Sequence, residues 1–204
     1  MMIRVKFYKG DYKERQREAN AANAALYIEQ HFNSCESRKA GYALAIVGSN
    51  ASKASVDFAE YYVELVQAAF NVPIWSDSLD NDLANDDHDP LDLEGTDGVM
   101  RGGRGNGNLK YTAMPAVLLE PLFASNPAHA EFIKSTVGQY VLASVLACSI
   151  RRHVSPGRLI AFSVGHKYKA SNPNDRGASV YGSALSEADF AENVLNIAAD
   201  ILRA

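Results

Sequence analysis

Three short strand-like runs in this chain each end on an ionisable side chain, and this limits the fold more than any other feature. Leu26–His31 ends on its histidine, Ala116–Leu119 stops at Glu120, and Leu159–Val164 runs through Gly165 into His166. A charge at the end of an apolar strand is costly unless something there needs it. In open α/β sheets, the carboxyl ends of the strands are where sites are built. A bland alternative exists for each group, because structural ion pairs also occupy such positions.

The rest of the pattern agrees with a layered fold. Further strands are expected at Ile3–Tyr8 and Tyr42–Val47. Between the strands lie helical patterns. Residues 11–24 are charged and then alanine-rich, with Tyr12 and Ala19 as inward candidates. Phe58, Tyr62, Leu65, Val66 and Ala69 recur at helical spacing after a serine-rich turn at 49–55. Asn126 can cap a long helix over 128–151, with Pro127 in its first turn and Phe132, Ile133, Val137, Tyr140, Val141 and Val145 on one face. Ser186 can cap a last helix with a stripe of Phe190, Val194, Ile197, Ala198 and Ile201. Strands alternating with helices predict an α/β fold, a mostly parallel twisted sheet flanked by helices. The 204 residues suffice for one domain, 1–204.

Two segments interrupt the pattern. Residues 76–97 carry eight aspartates, one glutamate and His88, without the spacing or glycine of an EF-hand, and read as an acidic surface insertion. Residues 101–108 are rich in glycine and asparagine but fit neither nucleotide fingerprint. They predict a flexible loop near the site, from which Arg101 or Arg104 could meet an anionic substrate.

The formal charge of −4, from 20 basic and 24 acidic side chains, speaks against nucleic acid as a partner. No apolar run is long enough for a membrane span, and no signal peptide is evident, so cytoplasmic synthesis is the default expectation. Cys35 and Cys148 make no disulfide framework. His129 and His153 flank the long helix and are expected at the surface.

Four groups then stand at element ends: His31, Glu120, His166 and Glu187. Two imidazoles and one carboxylate can hold a catalytic zinc with a fourth position open. A second carboxylate can serve as general base and acid. No compact zinc motif such as His-Glu-x-x-His is present, so the residues alone leave this open.

Three blocks resemble the zinc-dependent N-acetylmuramoyl-L-alanine amidases of the amidase-3 type. They are Arg15, Ala19 and Asn20 with Ala24 and Leu26–Asn33; Met114–Glu120 with Phe123 and Ser125–Pro127; and Ile160–His166 with Gly177, Ala178, Ser186 and Glu187. The resemblance implies zinc held by His31, His166 and Glu187, with Glu120 catalytic and Asn33 near the substrate. It also implies bacterial peptidoglycan as the partner, with cleavage between N-acetylmuramic acid and L-alanine. A monomer without membrane insertion is expected, acting on the wall as a phage lysin or after delivery by another system.

The block order differs from the family's, since the usual opening block stands last. The chain resembles a circular permutant, with residues 151–158 linking the family's usual ends and residues 1 and 204 close together. Lys167, Tyr168 and Lys169 replace a glycine-rich run, and Glu29-Gln30 replaces serine-isoleucine before His31. Pro121 and Leu122 follow Glu120 where a small residue and glycine are common. None of these departures removes a ligand. Rival readings are a zinc peptidase or amidase for another wall bond, a thiol hydrolase using Cys35 beside His31, and a non-catalytic wall-binding module.

Overall fold

In the computed structural model, which describes residues 2–76, 92–96 and 98–204, seven strands form one sheet. The strands are β1 (Arg4–Phe7), β2 (Leu26–Gln30), β3 (Leu44–Val47), β4 (Asp92–Thr96), β5 (Val99–Gly102), β6 (Ala116–Glu120) and β7 (Leu159–Val164), in the spatial order β1-β7-β2-β6-β3-β5-β4. The first four in that order are mutually parallel. β3 runs antiparallel to β6 and parallel to β5, and β4 closes the edge antiparallel to β5.

The helices are α1 (Tyr12–Ala21), α2 (Lys53–Phe70), α3 (Asn106–Leu109), α4 (Pro127–Lys134), α5 (Thr136–His153) and α6 (Glu187–Arg203). Every residue of β2, β3 and β6 is buried, because helices cover both sheet faces. Leu26, Ile28, Val117, Leu119, Ile160 and Phe162 point to the face packed by α2, α5 and α6. The two-residue period of a strand then sends Tyr27, Leu118 and Ala161 to the opposite face, with Ala19 of α1 and Leu109 of α3. That same period puts Glu29, Ser163 and Glu120 on this second, thinner side.

The strands expected from the sequence all form, and the mostly parallel α/β architecture is present. Several details differ. The helix expected over 128–151 is two helices meeting at 83°. Ser135 lies between them in extended backbone, and its hydroxyl accepts from the N–H of Gly138 to start α5. This break rotates α5, so Leu142, Ala143, Leu146, Ala147 and Ile150 are buried, whereas Val137 and Tyr140 face outward. α6 buries Ala191, Leu195 and Leu202 ahead of Ile197 and Ile201, which are only partly covered. α5 also extends to His153, so the segment expected as a linker from residue 151 is helical for its first three residues.

Within the acidic stretch, residues 92–96 form the edge strand β4 and are not a loop. The remainder, 77–91 and 97, lies outside the described residues and includes His88. Among the described residues no single helix is long and apolar enough to cross a membrane.

Candidate metal centre

The site lies where β7, β2 and β6 end side by side. Gln30 pairs with Val164 on one side and Leu119 on the other, so the next residue of each strand falls at one level. The N–H of His31 donates to Leu119 O at 2.9 Å, and that of Gly165 donates to Gln30 O at 2.9 Å. His31 is thereby fixed between Gly165 and Glu120. Gly165 is required here because a Cβ on it would sit about 2.4 Å from the His31 ring.

The chain then turns sharply, and His166 adopts a left-handed backbone with φ of 60°. Arg15 of α1 holds this turn. It is fully buried and donates to Gly10 O at 2.7 Å, Ser163 Oγ at 2.7 Å, Val164 O at 2.8 Å and Lys167 O. Glu187 arrives from the first turn of α6, which Ser186 and Asp189 start with a capping box. Its carboxylate lies against Gly177, whose φ of 67° and lack of a Cβ make the close approach possible. The N–H of Ala178 donates to Glu187 Oε2 at 3.2 Å.

These elements bring His31, His166 and Glu187 together, each with one donor atom within 4.8 Å of the others. Glu187 Oε1 is 2.9 Å from His166 Nε2 and 3.4 Å from His31 Nδ1. The far nitrogen of each imidazole meets a different carboxylate. His31 Nε2 is 2.8 Å from Glu29 Oε1, and His166 Nδ1 is 2.9 Å from Asp175 Oδ1. Metal-binding histidines are commonly oriented this way, with a carboxylate behind each ring.

The electrostatics point to a position that favours positive charge. Burial works against the His31 imidazolium, yet the bonds to Glu187 and Glu29 push its pKa up to about 10. Burial would raise Glu187, but hydrogen bonds from His166 and His31 hold it below its ordinary value. Asp175 is held at about 2, against its burial, by Lys169 and the N–H of Gly177. A metal ion and protons compete for such a donor set.

Glu120 is buried and lines the same cavity of about 410 Å³ as the cluster. Tyr12, Asn33, Ser34, Asn108 and Ala178 complete much of its wall. Asn33 is therefore at the site. Arg101 is not among the lining residues, since it sits in β5 and its guanidinium donates to Ala51 O at 3.2 Å. The side chain of Arg104 lies outside the described residues. The segment expected as a flexible loop is instead the end of β5, a 3-10 turn at Gly103–Gly105 and α3, and from it Gly105 and Asn108 reach the cavity. Cys35 does not line it, and its thiol faces Ser37 O.

His129, expected at the surface, is buried, and its Nδ1 accepts the N–H of Phe123 at 3.0 Å. It braces the loop that follows Glu120. Lys167 and Lys169 are ion-paired to Glu192 and Asp175, so the charges that replace the glycine run are neutralised locally.

A model of the family Amidase_3, N-acetylmuramoyl-L-alanine amidase, matches residues 1–152, three quarters of the 204. The chain belongs to this family. Solved structures of N-acetylmuramoyl-L-alanine amidases share its fold. The catalytic domain of CwlV from Bacillus (Paenibacillus) polymyxa var. colistinus aligns at TM-score 0.51 and 21% identity, covering 70% of this chain and 64% of that one. The amidase from Clostridium difficile 630 aligns at 0.52 and 18%, covering 69% and 63%. Ami1 from Mycobacterium smegmatis aligns at 0.54 and 17%, covering 70% and 59%. The chain thus spans just under two thirds of these relatives' lengths. No curated protein matches it in sequence. The amidase-3 match stops before β7 and α6, the elements that carry His166 and Glu187.

Proposed function

We propose that this amidase-3 domain is a zinc-dependent N-acetylmuramoyl-L-alanine amidase of bacterial peptidoglycan. The observation that carries the reading is the convergence of His31, His166 and Glu187 on one point beside Glu120. The donor set fits zinc. Two imidazole nitrogens and one carboxylate are a three-ligand catalytic combination that leaves a position open, and both rings are backed by carboxylates. Bound there, zinc supplies Lewis-acid polarisation of an amide carbonyl and lowers the pKa of water toward about 7.

The protein's own groups do the rest. Glu120 takes a proton from the attacking water and returns it to the nitrogen of L-alanine as the C–N bond breaks. The products are the lactyl carboxylate on the sugar and a free amino terminus on the stem peptide. Such acid–base help is worth roughly 10²–10⁴ in rate. The cavity is open and partly apolar, and Asn33 and Asn108 supply side-chain amides on its wall for a peptide substrate.

The order of the blocks is read as a circular permutation. Three features support it: β7 lies between β1 and β2 in the sheet, the family match ends at residue 152, and the N–H of Ile3 donates to Leu202 O at 3.2 Å.

The test is a digest of purified peptidoglycan with and without a chelator, read by mass spectrometry. Stem peptides that begin with L-alanine, lost on chelation and restored by zinc, are expected. Cleavage inside the stem would retain a hydrolase and discard the assigned bond. Binding with no released amine would leave only a wall-binding module.

A further inference from the structure

Glu29 is the one fully buried carboxylate among the described residues that touches the cluster without facing it. It sits on β2 two residues before His31, so the strand period puts both side chains on one face. Its side chain has no exposure at all, and desolvating an ionised carboxylate is expensive unless it is fully paired. Here the pairing is complete. Oε1 meets His31 Nε2 at 2.8 Å and accepts from Asn108 Nδ2 at 2.7 Å, while Oε2 accepts from Tyr27 Oη at 3.1 Å and Ser163 Oγ at 3.0 Å. Ser163 Oγ is itself held by Arg15 at 2.7 Å. Tyr27 of β2, Asn108 of α3 and Ser163 of β7 thus meet at one carboxylate directly behind one candidate ligand, with Arg15 of α1 holding Ser163 in turn.

We propose that Glu29 is a positioning residue of the metal centre, which holds His31 with its proton on Nε2 and so presents Nδ1 to the metal. The inference rests on the reading that His31, His166 and Glu187 hold a metal. Its physical content is twofold. Accepting from Nε2–H fixes the ring's rotation and tautomer, and the negative charge behind the ring makes Nδ1 a stronger donor. Asn108 extends the same device to the cavity wall, because its amide is anchored on Glu29 while the residue lines the substrate space.

The experiment compares the wild type with Glu29→Gln and Glu29→Ala. Zinc affinity is measured by competition with a chromogenic chelator, and the metal-free melting temperature is measured in parallel. Glu29→Gln keeps the shape and an acceptor but removes the charge, so it should bind zinc about 10–100-fold more weakly, and Glu29→Ala should bind it more weakly still. Variants that melt lower but bind zinc with wild-type affinity would overturn the proposal and leave Glu29 a purely structural residue. Wild-type protein that binds no zinc would instead overturn the metal reading beneath it.

A second measurement does not depend on a folded variant. The ¹⁵N side-chain spectrum of wild-type protein loaded with zinc should show His31 protonated at Nε2. A proton on Nδ1 there would contradict the assignment.

Discussion

Single side chains divide the labour at this site in ways that can be separated. Glu120→Gln should retain zinc and lose about 10²–10⁴ in turnover, because only the proton transfer is removed. Zinc content by atomic emission and turnover on isolated wall fragments check this, and a variant that keeps most of its activity would remove Glu120 from the chemistry. His166→Ala should instead lose the metal. Gly165→Ala changes no ligand but drives a methyl into the His31 ring, and it too should bind zinc more weakly than the wild type in a chelator competition.

His129 gives a prediction of another kind. Burial pushes its pKa down to about 4 from the ordinary 6.5, and its Nδ1 can accept from Phe123 only when unprotonated. The depressed value means the unfolded chain takes up the proton first as pH falls. Its contribution is therefore intact above about 6.5 and is lost progressively toward about 4, on the order of 2 kcal/mol. Denaturant melts at pH 7.5 and 4.5 should show the wild type losing this much more than His129→Gln. Parallel losses would contradict it.

At the scale of elements, the strand ends were the readable part of the sequence. The runs before His31, Glu120 and His166 are short, apolar and bounded by breakers, and the structure sets all three ends on one level. Glu187 was readable as the first turn of a capped helix. The helix break at Ser135 was not readable, since the apolar spacing runs on across it and nothing marks the change of direction. Only the extended backbone at Ser135 and its new cap reveal it.

The partners behind the histidines divide in the same way. Glu29 left a trace, a charge inside a strand at the two-residue spacing from His31. Asp175 left none, because it sits in a polar loop rich in similar residues. The burial of Arg15 was equally hidden, as Ser163 Oγ and Val164 O come from the far end of the chain and only Gly10 O is local. Caps behave more predictably. Asn126 accepts from the N–H groups of Ala128 and His129 and also donates to Ala40 O at 2.9 Å, so Asn126→Ala should cost about 1–2 kcal/mol in urea melts. A change below a few tenths would show the cap to be redundant.

At the scale of the whole molecule, the site is assembled from both ends of the sequence. His31 and Glu120 come from the span that matches the family, whereas His166 and Glu187 come from the segment beyond it. If the order is a permutation, a chain in which a short glycine-serine linker joins residue 204 to residue 2, opened at 155–157, should fold and bind zinc with unchanged affinity. Failure to fold under conditions where the natural order folds would argue against it.

The central claim is that these distant residues hold one zinc ion beside Glu120. It is tested most directly by diffraction from zinc-soaked crystals, with anomalous maps collected on either side of the zinc absorption edge. The account predicts a single edge-dependent peak contacting His31 Nδ1, His166 Nε2 and a Glu187 oxygen. No peak at that point, or zinc bound elsewhere while the three residues keep their bonds to one another, would contradict it.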